Sequence, residues 1–241
     1  MEFDLVQNYS NVRARVLSEL EKSKRSGQTV SILPVSKGQP IEKIRDLLNF
    51  LQTQGQTKSQ FGENYIEEIL EKNSLLTEVE RNQVEWVFLG RLQSRKIKKI
   101  VAHCAEAEGV SRLQEIEQII EASESLGLVR PFRIKLQINI SGETQKGGFL
   151  PNEIATVLEA VRTHKINKTL VNGLMGIASS LEIVGSKKVL EEFKALKQIR
   201  DQHLPGGKLS MGMSQDFDLA ICAGTDQVRL GTQIFGSRLL K

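Results

Sequence analysis

The sequence predicts a single-domain α/β protein, a (β/α)8 barrel (TIM barrel) preceded by one extra N-terminal helix, and three observations lead to this fold class. Short apolar segments with strand character alternate eight times with segments of helical period. Strands alternating with helices imply parallel pairing through right-handed crossovers. The length of 241 residues suits eight such units. A doubly wound open sheet is the alternative, because several of the predicted strands are weak.

The predicted elements begin with an amphipathic helix over residues 3–25, whose apolar positions are Leu5, Val12, Val16 and Leu20. The predicted strands cover 29–36, a short segment reaching Phe61, 84–89, 105–110, 132–140, 170–175, 208–211 and 228–230. The predicted helices cover 41–52, a segment around 66–70, 94–101, 112–126, 153–161, 186–203, 216–223 and a closing turn at 233–240. We find no linker or low-complexity tract, so one domain over 1–241 is expected.

Composition is that of an ordinary globular protein and argues against several functional classes. The 33 basic and 29 acidic residues leave a formal charge of +4, too small and too evenly spread to indicate a nucleic-acid or membrane binder. The N-terminus lacks the pattern of a signal peptide, and no apolar run has the length of a membrane span. Cys104 and Cys222 lie far apart in apolar surroundings, which predicts two buried thiols and no metal site. A cytoplasmic protein is therefore expected.

Small and polar residues gather where the predicted strands end, while the strand interiors are expected to be apolar. The carboxyl ends of the strands form the face of a barrel that carries the chemistry. The segments that follow the strands are Ser36-Lys37, Gly62-Glu-Asn-Tyr65, Gly90-Arg-Leu-Gln-Ser94, Asn139-Ile-Ser-Gly-Glu143, Gly173-Leu-Met-Gly176, Ser210-Met-Gly-Met-Ser214 and Arg229-Leu-Gly-Thr232.

The last two of these segments predict an anion site. The stretch from Ser210 to Ser214 offers two hydroxyls and a glycine, and Gly231-Thr232 opens the final helical turn. Loops after strands seven and eight are the usual phosphate site of a barrel. Strand one adjoins strand eight when the barrel closes, so Lys37 would face a phosphorylated ligand across the mouth. A partly desolvated lysine forms Schiff bases with aldehydes. Pyridoxal 5′-phosphate combines an aldehyde with a phosphate.

A set of short motifs resembles one family, the pyridoxal phosphate homeostasis proteins, which are single-domain relatives of the N-terminal barrel of alanine racemase. The resemblance extends over nearly the whole chain, in order and at the expected spacing. The motifs are Val35-Ser-Lys37, Phe61-Gly-Glu-Asn-Tyr65, Gly90 with Leu92-Gln-Ser94, Asn139-Ile-Ser-Gly-Glu143, Lys146-Gly-Gly-Phe149, Gly173-Leu-Met175, Leu209-Ser-Met-Gly-Met-Ser214, Val228-Arg-Leu-Gly-Thr232 and Ile234-Phe-Gly236.

The resemblance implies a role for each of seven residues. Lys37 would hold pyridoxal 5′-phosphate as an aldimine, Arg229 would face the pyridine nitrogen, and Asn64 would lie close to the ring. The phosphate would be held by Ser210, Gly231 and Thr232, with Met211 nearby. The chain departs from the family pattern at Val87, Arg91 and Arg95, where the family often has two histidines and an asparagine.

Arg229 limits the chemistry that this set allows. A guanidinium only donates hydrogen bonds, so a pyridine nitrogen facing it is unprotonated and the ring is a weak electron sink. Racemisation is still allowed but needs two bases, and the resemblance suggests a tyrosine that racemases take from a second domain. The candidates here are Tyr9, in the first helix, and Tyr65, for which packing on a helix is the simpler interpretation. The expected function is therefore non-enzymatic: reversible binding and delivery of pyridoxal 5′-phosphate.

Two alternatives belong to other functional classes. The first is a minimal amino-acid racemase using Lys37 with Tyr65 or water. The second is a nucleic-acid module, suggested by Arg91, Arg95 and Lys96 with the nearby Lys98 and Lys99, although a solvated basic face without aromatic partners explains these residues better. The expected partners are pyridoxal 5′-phosphate and PLP-dependent apo-enzymes, with no nucleic acid, no membrane and no metal. A monomer is expected.

Overall fold

Eight parallel strands form the centre of the molecule in the computed structural model, which describes residues 4–163 and 169–237. The strands are β1 (Ser31–Pro34), β2 (Ser59–Glu63), β3 (Val84–Phe88), β4 (Glu106–Val110), β5 (Phe132–Ile138), β6 (Thr169–Gly176), β7 (Lys208–Ser210) and β8 (Gln227–Leu230). Neighbours along the chain are neighbours in the sheet, and β1 pairs with β8 in register from Ser31 opposite Gln227 to Pro34 opposite Leu230.

Helices surround the strands. In the described residues they are α1 (Leu5–Lys22), α2 (Ile41–Thr53), α3 (Ile66–Leu75), α4 (Glu78–Gln83), α5 (Ser94–His103), α6 (Leu113–Ser125), α7 (Ile154–Thr163), α8 (Leu181–His203), α9 (Phe217–Ala223) and α10 (Thr232–Phe235). No helix within 4–163 and 169–237 combines the length and apolarity that crossing a bilayer requires.

The ring of strands closes between β1 and β2. Val35, one residue beyond β1, forms a parallel bridge with Gly62, and the Ser36 amide donates to the Gly62 carbonyl at 3.0 Å. A Cβ at position 62 would lie 2.7 Å from Leu89 and 3.3 Å from Val35, so glycine allows this close approach. The predicted barrel with a leading helix is confirmed, and the open-sheet alternative is wrong.

Differences from the predicted elements have local causes. Helix α4 was not predicted; a capping box in which Thr77 and Glu80 exchange hydrogen bonds starts this six-residue helix. Helix α8 begins at Leu181 instead of 186, with non-helical backbone at Gly185 separating its first turn from the rest. The last helix ends at Phe235, before Gly236. Residues 1–3 and 238–241, which the predicted domain includes at its two ends, lie outside the described residues.

The molecule has two cores of different character. Apolar side chains such as Phe61, Ile134 and Phe193 are fully buried in one continuous cluster that joins strands and helices. The barrel interior contains a network of polar and charged side chains, contrary to the prediction of apolar strand interiors. There Gln227 of β8 donates to Glu108 of β4 at 2.6 Å, a contact between strands that are not neighbours in the sheet. Such a contact places both side chains inside the barrel.

Candidate functional site

A cavity of about 430 Å3 opens at the carboxyl ends of the strands. Its lining comes from the segments after β1, β2, β3, β6, β7 and β8, as the barrel fold predicts. The lining residues are Val35, Lys37, Gln39, Asn64, Leu89, Met175, Ile177, Met213, Ser214, Gln215, Asp216, Arg229, Gly231, Thr232 and Gly236. A volume of this size lies in the range of small-molecule sites.

Lys37 enters the cavity from the turn that follows β1. Its side chain is half-buried, and its Nζ lies 5.0 Å from the centroid of the Tyr65 ring. Tyr65 is 49% exposed, so it does not pack under a helix as predicted, and its ring lies beside the lysine. A cation over an aromatic face is held by the ring quadrupole. The structure thus keeps a primary amine at the wall of the cavity.

Arg229 of β8 reaches the cavity from the barrel interior and is held at several points. One terminal nitrogen donates to the carbonyl and to the hydroxyl of Ser210, both at 2.7 Å. The other donates to the carbonyl of Gly176 at 3.0 Å. Burial lowers the pKa of Arg229, and Glu108, whose carboxylate is 3.8 Å away, acts in the opposite direction. A guanidinium held in this way presents a fixed donor to a ligand.

Glu108 is the charge that compensates this arginine. It is fully buried and accepts from Ser210 at 2.6 Å, from Gln227 at 2.6 Å and from Lys135 at 2.9 Å. Burial alone would raise the pKa of Glu108, but Lys135 and Arg229, together with the bonds from Ser210 and Lys135, outweigh burial and hold it below its ordinary value. Lys135 also contacts Glu106, so the charges inside the barrel form one connected network.

The loops after β7 and β8 bring two hydroxyl groups together at the mouth of the cavity. Thr232 Oγ1 donates to Ser214 Oγ at 3.2 Å. Asp216 shapes the first of these loops, because its carboxylate accepts from the Met213 amide at 2.6 Å, and burial raises the pKa of this carboxyl. A Cβ at Gly231 would lie 3.1 Å from the Val35 carbonyl oxygen, so glycine suits the contact with the β1 segment.

Asn64 follows β2 and is fixed by close contact with the end of β3. The Leu89 amide donates to the Glu63 carbonyl at 2.7 Å. A Cβ at Gly90 would lie 2.0 Å from the Asn64 carbonyl oxygen, so a side chain at position 90 would displace this backbone. The glycine after β3 therefore serves to bring the Asn64 backbone to the cavity wall.

Five of the seven residues predicted for the site line this cavity together: Lys37, Asn64, Arg229, Gly231 and Thr232. Ser210 and Met211 are fully buried and do not line it. Ser210 lies inside the barrel, where its hydroxyl donates to Glu108 and accepts from Arg229. Of these three residues, Arg229 is the one that lines the cavity. Ser214, from the same motif, occupies the lining position.

Sequence reasoning missed Glu108 and Asp216. The alternation Glu106-Ala-Glu108 in β4 beside Arg133-Ile-Lys135 in β5 was an available signal, since parallel register brings unlike charges together. The prediction of two buried thiols holds for Cys104, but Cys222 is exposed. No group of three His, Cys, Asp or Glu residues within the described part of the chain could hold a metal ion.

The fold and the cavity define a class of protein: a (β/α)8 barrel with an amine, a guanidinium and paired hydroxyls facing one small-molecule site. Comparison with protein families narrows this class. The model of the alanine racemase N-terminal domain matches residues 13–239, and the chain belongs to that family.

The chain is similar to curated relatives over 90% or more of their length. A pyridoxal phosphate homeostasis protein of Pseudomonas aeruginosa is 32% identical over 235 residues, 97% of this chain and 96% of the relative. Proteins of the same description from Schizosaccharomyces pombe and Escherichia coli K12 are 34% and 30% identical, with 92% and 98% of this chain and 90% and 97% of the relative covered.

Solved structures have the same fold. PipY of Synechococcus elongatus, determined with PLP bound, superposes with a TM-score of 0.75 at 26% identity, covering 97% of this chain and 100% of PipY. A protein from Bifidobacterium adolescentis, described only as unknown, gives a TM-score of 0.83 at 26% identity, covering 96% of this chain and 94% of that protein. An alanine racemase of Clostridium difficile gives 0.64 at 18% identity, covering 93% of this chain and 56% of the racemase, which shows the fold alone.

Proposed function

We propose that this protein binds pyridoxal 5′-phosphate reversibly on Lys37 and buffers or delivers it, without efficient catalysis. The observation that carries the proposal is the convergence of Lys37, Arg229 and the Ser214–Thr232 hydroxyl pair on one cavity. The relatives named above agree with it. When bound, the cofactor supplies an aldehyde that condenses with a neutral primary amine, forming a C=N bond and releasing one water.

The residues present fit this group. Lys37 Nζ supplies the amine, and the half-buried position of Lys37 beside Tyr65 limits its contact with water. Ser214 and Thr232, from the loops after β7 and β8, supply hydroxyl donors for a phosphate at the usual place in the fold. Arg229 supplies a donor for the ring nitrogen, and Asn64 lines the same cavity. We propose Ser210 and Met211 as supports of this site from within the barrel.

Arg229 and the surroundings of Lys37 favour a carrier over a racemase. A guanidinium only donates hydrogen bonds, and Glu108, 3.8 Å away, counters the effect of burial on its pKa; a ring nitrogen facing Arg229 therefore stays unprotonated and withdraws few electrons. Racemisation would also need a second base across the substrate. Tyr9 is buried in α1, and Tyr65 lies over Lys37 outside the lining of the cavity. Neither tyrosine lines the cavity.

We expect purified protein loaded with pyridoxal 5′-phosphate to leave L-alanine and other amino acids unchanged. We expect this because Arg229 would leave the ring nitrogen of the cofactor unprotonated and because neither Tyr9 nor Tyr65 lines the cavity as a second base. Chiral chromatography after long incubation at high protein concentration, with an authentic racemase as positive control, measures this. Robust turnover that Lys37→Ala removes would replace the carrier proposal by the racemase alternative.

The hydroxyl pair predicts a preference for the phosphorylated vitamer. Replacing Thr232 by valine removes one of the two donors and should weaken binding of pyridoxal 5′-phosphate by about tenfold, roughly one hydrogen bond to a charged group. Binding of pyridoxal, which has no phosphate, should not change. Titrations of both vitamers on both proteins provide the test, and equal loss for the two ligands would place the phosphate elsewhere.

Three further expectations from the sequence stay proposals. We propose that PLP-dependent apo-enzymes receive the cofactor, that the protein is a monomer, and that it works in the cytoplasm. Sedimentation of the holo-protein tests whether it is a monomer. A second experiment compares cofactor transfer to an apo-enzyme across a dialysis membrane with transfer in mixed solution, which tests whether delivery needs contact between the two proteins.

A further inference from the structure

Directly behind the Lys37 turn lies a group of three charged side chains from β2 and α3, two of them buried, which we name the Glu63–Glu68–Lys72 cluster. Lys72 is only 7% exposed, and Glu63 is fully buried. The Lys72 ammonium contacts the Glu63 carboxylate and lies 3.3 Å from Glu68 Oε2. Lys72 has no contact with the cavity, yet its third partner is the Ser36 carbonyl at 2.9 Å, one residue before Lys37.

The cluster holds the backbone on both sides of Lys37. Before it, the Ser36 carbonyl accepts from Lys72, and the Ser36 hydroxyl donates to Glu63 at 2.7 Å. After it, the Gly38 amide donates to Glu68 Oε2 at 2.9 Å. Gly38 has a φ of +67°, a conformation that glycine adopts without strain and that turns the chain away from β1. Lys37 is thus the residue between two charged anchors.

Stability alone does not explain such a cluster. Buried ion pairs stabilise a fold little in comparison with apolar packing of the same volume, because desolvation offsets most of the Coulomb attraction. What this cluster provides is geometry: it connects the turn after β1 to the segment after β2, which also carries Asn64 and Tyr65. The cluster therefore fixes Lys37, Tyr65 and Asn64 relative to one another.

We propose that Glu63, Glu68 and Lys72 are positioning residues that hold the Lys37 backbone so that Nζ meets the aldehyde of the bound cofactor. The inference rests on the proposed function and deepens it. Lys37 Nζ forms the new C=N bond as a neutral amine and the aldehyde oxygen leaves as water, so the position of the nitrogen decides the stability of this bond. Binding of the phosphate and the ring does not depend on it.

This division of roles separates two ligands. Pyridoxal 5′-phosphate has the aldehyde, whereas pyridoxine 5′-phosphate has an alcohol in its place and cannot bond to Lys37. A loosened anchor should weaken the first ligand and spare the second. A merely structural role of the cluster would affect both ligands alike, because both need the same cavity.

The test compares Glu68→Ala with Glu67→Ala, two neighbouring substitutions on α3. Glu68 is 24% exposed and holds Gly38 and Lys72, whereas Glu67 is 62% exposed and pairs with Lys96 at 2.7 Å. We expect Glu68→Ala to weaken pyridoxal 5′-phosphate binding by about tenfold, the effect of one hydrogen bond to a charged group. We expect pyridoxine 5′-phosphate binding to be unchanged, and Glu67→Ala to match the wild type for both ligands.

Three results would overturn the inference: no change in Glu68→Ala, equal loss for both ligands, or the same loss in Glu67→Ala. Glu68→Gln keeps an acceptor for the Gly38 amide but removes the charge beside Lys72. Its loss of pyridoxal 5′-phosphate binding should be smaller than the loss in Glu68→Ala, again with pyridoxine 5′-phosphate binding unchanged. If Glu68→Ala does not fold, Glu68→Gln takes its place in the comparison with Glu67→Ala. Failure of the wild type to bond pyridoxal 5′-phosphate would instead contradict the proposed function.

Discussion

Replacing Lys37 by alanine is expected to abolish the visible absorbance that pyridoxal 5′-phosphate gains on binding to the protein. The amine of Lys37 faces the cavity beside Tyr65, and among the described residues that line the cavity there is no second lysine. Losing the covalent bond should also weaken binding on the order of 100-fold, or about 2.8 kcal/mol. The remaining affinity should be that of the phosphate and ring contacts.

The measurement is a spectral titration of the variant beside Lys98→Ala. Lys98 is an exposed lysine on α5 and offers a matched loss of one amine. Pyridoxine 5′-phosphate should bind the wild type and Lys37→Ala equally, because it makes no covalent bond. If Lys37→Ala keeps the full absorbance change, another lysine forms the bond and the assignment of the cavity is wrong.

Replacing Glu108 by glutamine is expected to destabilise the protein by about 3–5 kcal/mol, the usual effect of removing one partner from a buried ion pair. Glu108 is fully buried, and without its charge Lys135 loses one of its two carboxylate partners and Arg229 its nearest one. Urea unfolding at neutral pH measures the change. Glu117→Gln, on the exposed face of α6, is the control and should be neutral.

The pH dependence follows from the sign of the pKa shift. The pKa of Glu108 is lowered from its ordinary value of 4.5 because Lys135 and Arg229 outweigh burial. Its stabilising contribution is therefore fully present above about pH 4.5 and is lost as the pH falls through the lower folded-state pKa. The difference between wild type and Glu108→Gln should shrink in that acidic range. If Glu108→Gln is as stable as Glu117→Gln at neutral pH, the assignment of a stabilising charge to Glu108 is wrong.

The sequence was sufficient for the fold and for the strand ends that meet at the cavity. Eight repeats of strand and helix, with Lys37 after β1 and Arg229 in β8, placed the amine and the guanidinium on one face. Strand ends converge in a barrel whatever the details of packing, so this level of prediction depends on topology alone.

The residues proposed to hold the phosphate illustrate a limit of prediction from sequence. A strand residue points to one face or the other, and a shift of one position reverses the faces. Ser210 points into the barrel toward Glu108, and Met211 joins the apolar cluster, so the hydroxyl in the cavity lining is that of Ser214. The motif had two serines, and only the register of β7 distinguishes them.

The cluster behind Lys37 was beyond sequence reasoning for another reason. Glu63 and Lys72 are nine residues apart, in a strand and a helix, and their shared target is Ser36 in a different unit of the barrel. Each looks like an ordinary charged residue in the sequence. The contact between Lys72 and Glu63 is informative because both side chains are buried. This burial results from the packing of α3 against β2 and the turn after β1 and cannot be deduced from the sequence.

Covalent capture by Lys37 is the central claim, and borohydride reduction of the protein loaded with pyridoxal 5′-phosphate tests it most directly. Reduction converts the C=N bond to a stable amine, and trypsin does not cleave after a modified lysine. We predict one labelled peptide, spanning residues 26–43, with the label on Lys37. A label spread over surface lysines, or no label at all, would contradict the account.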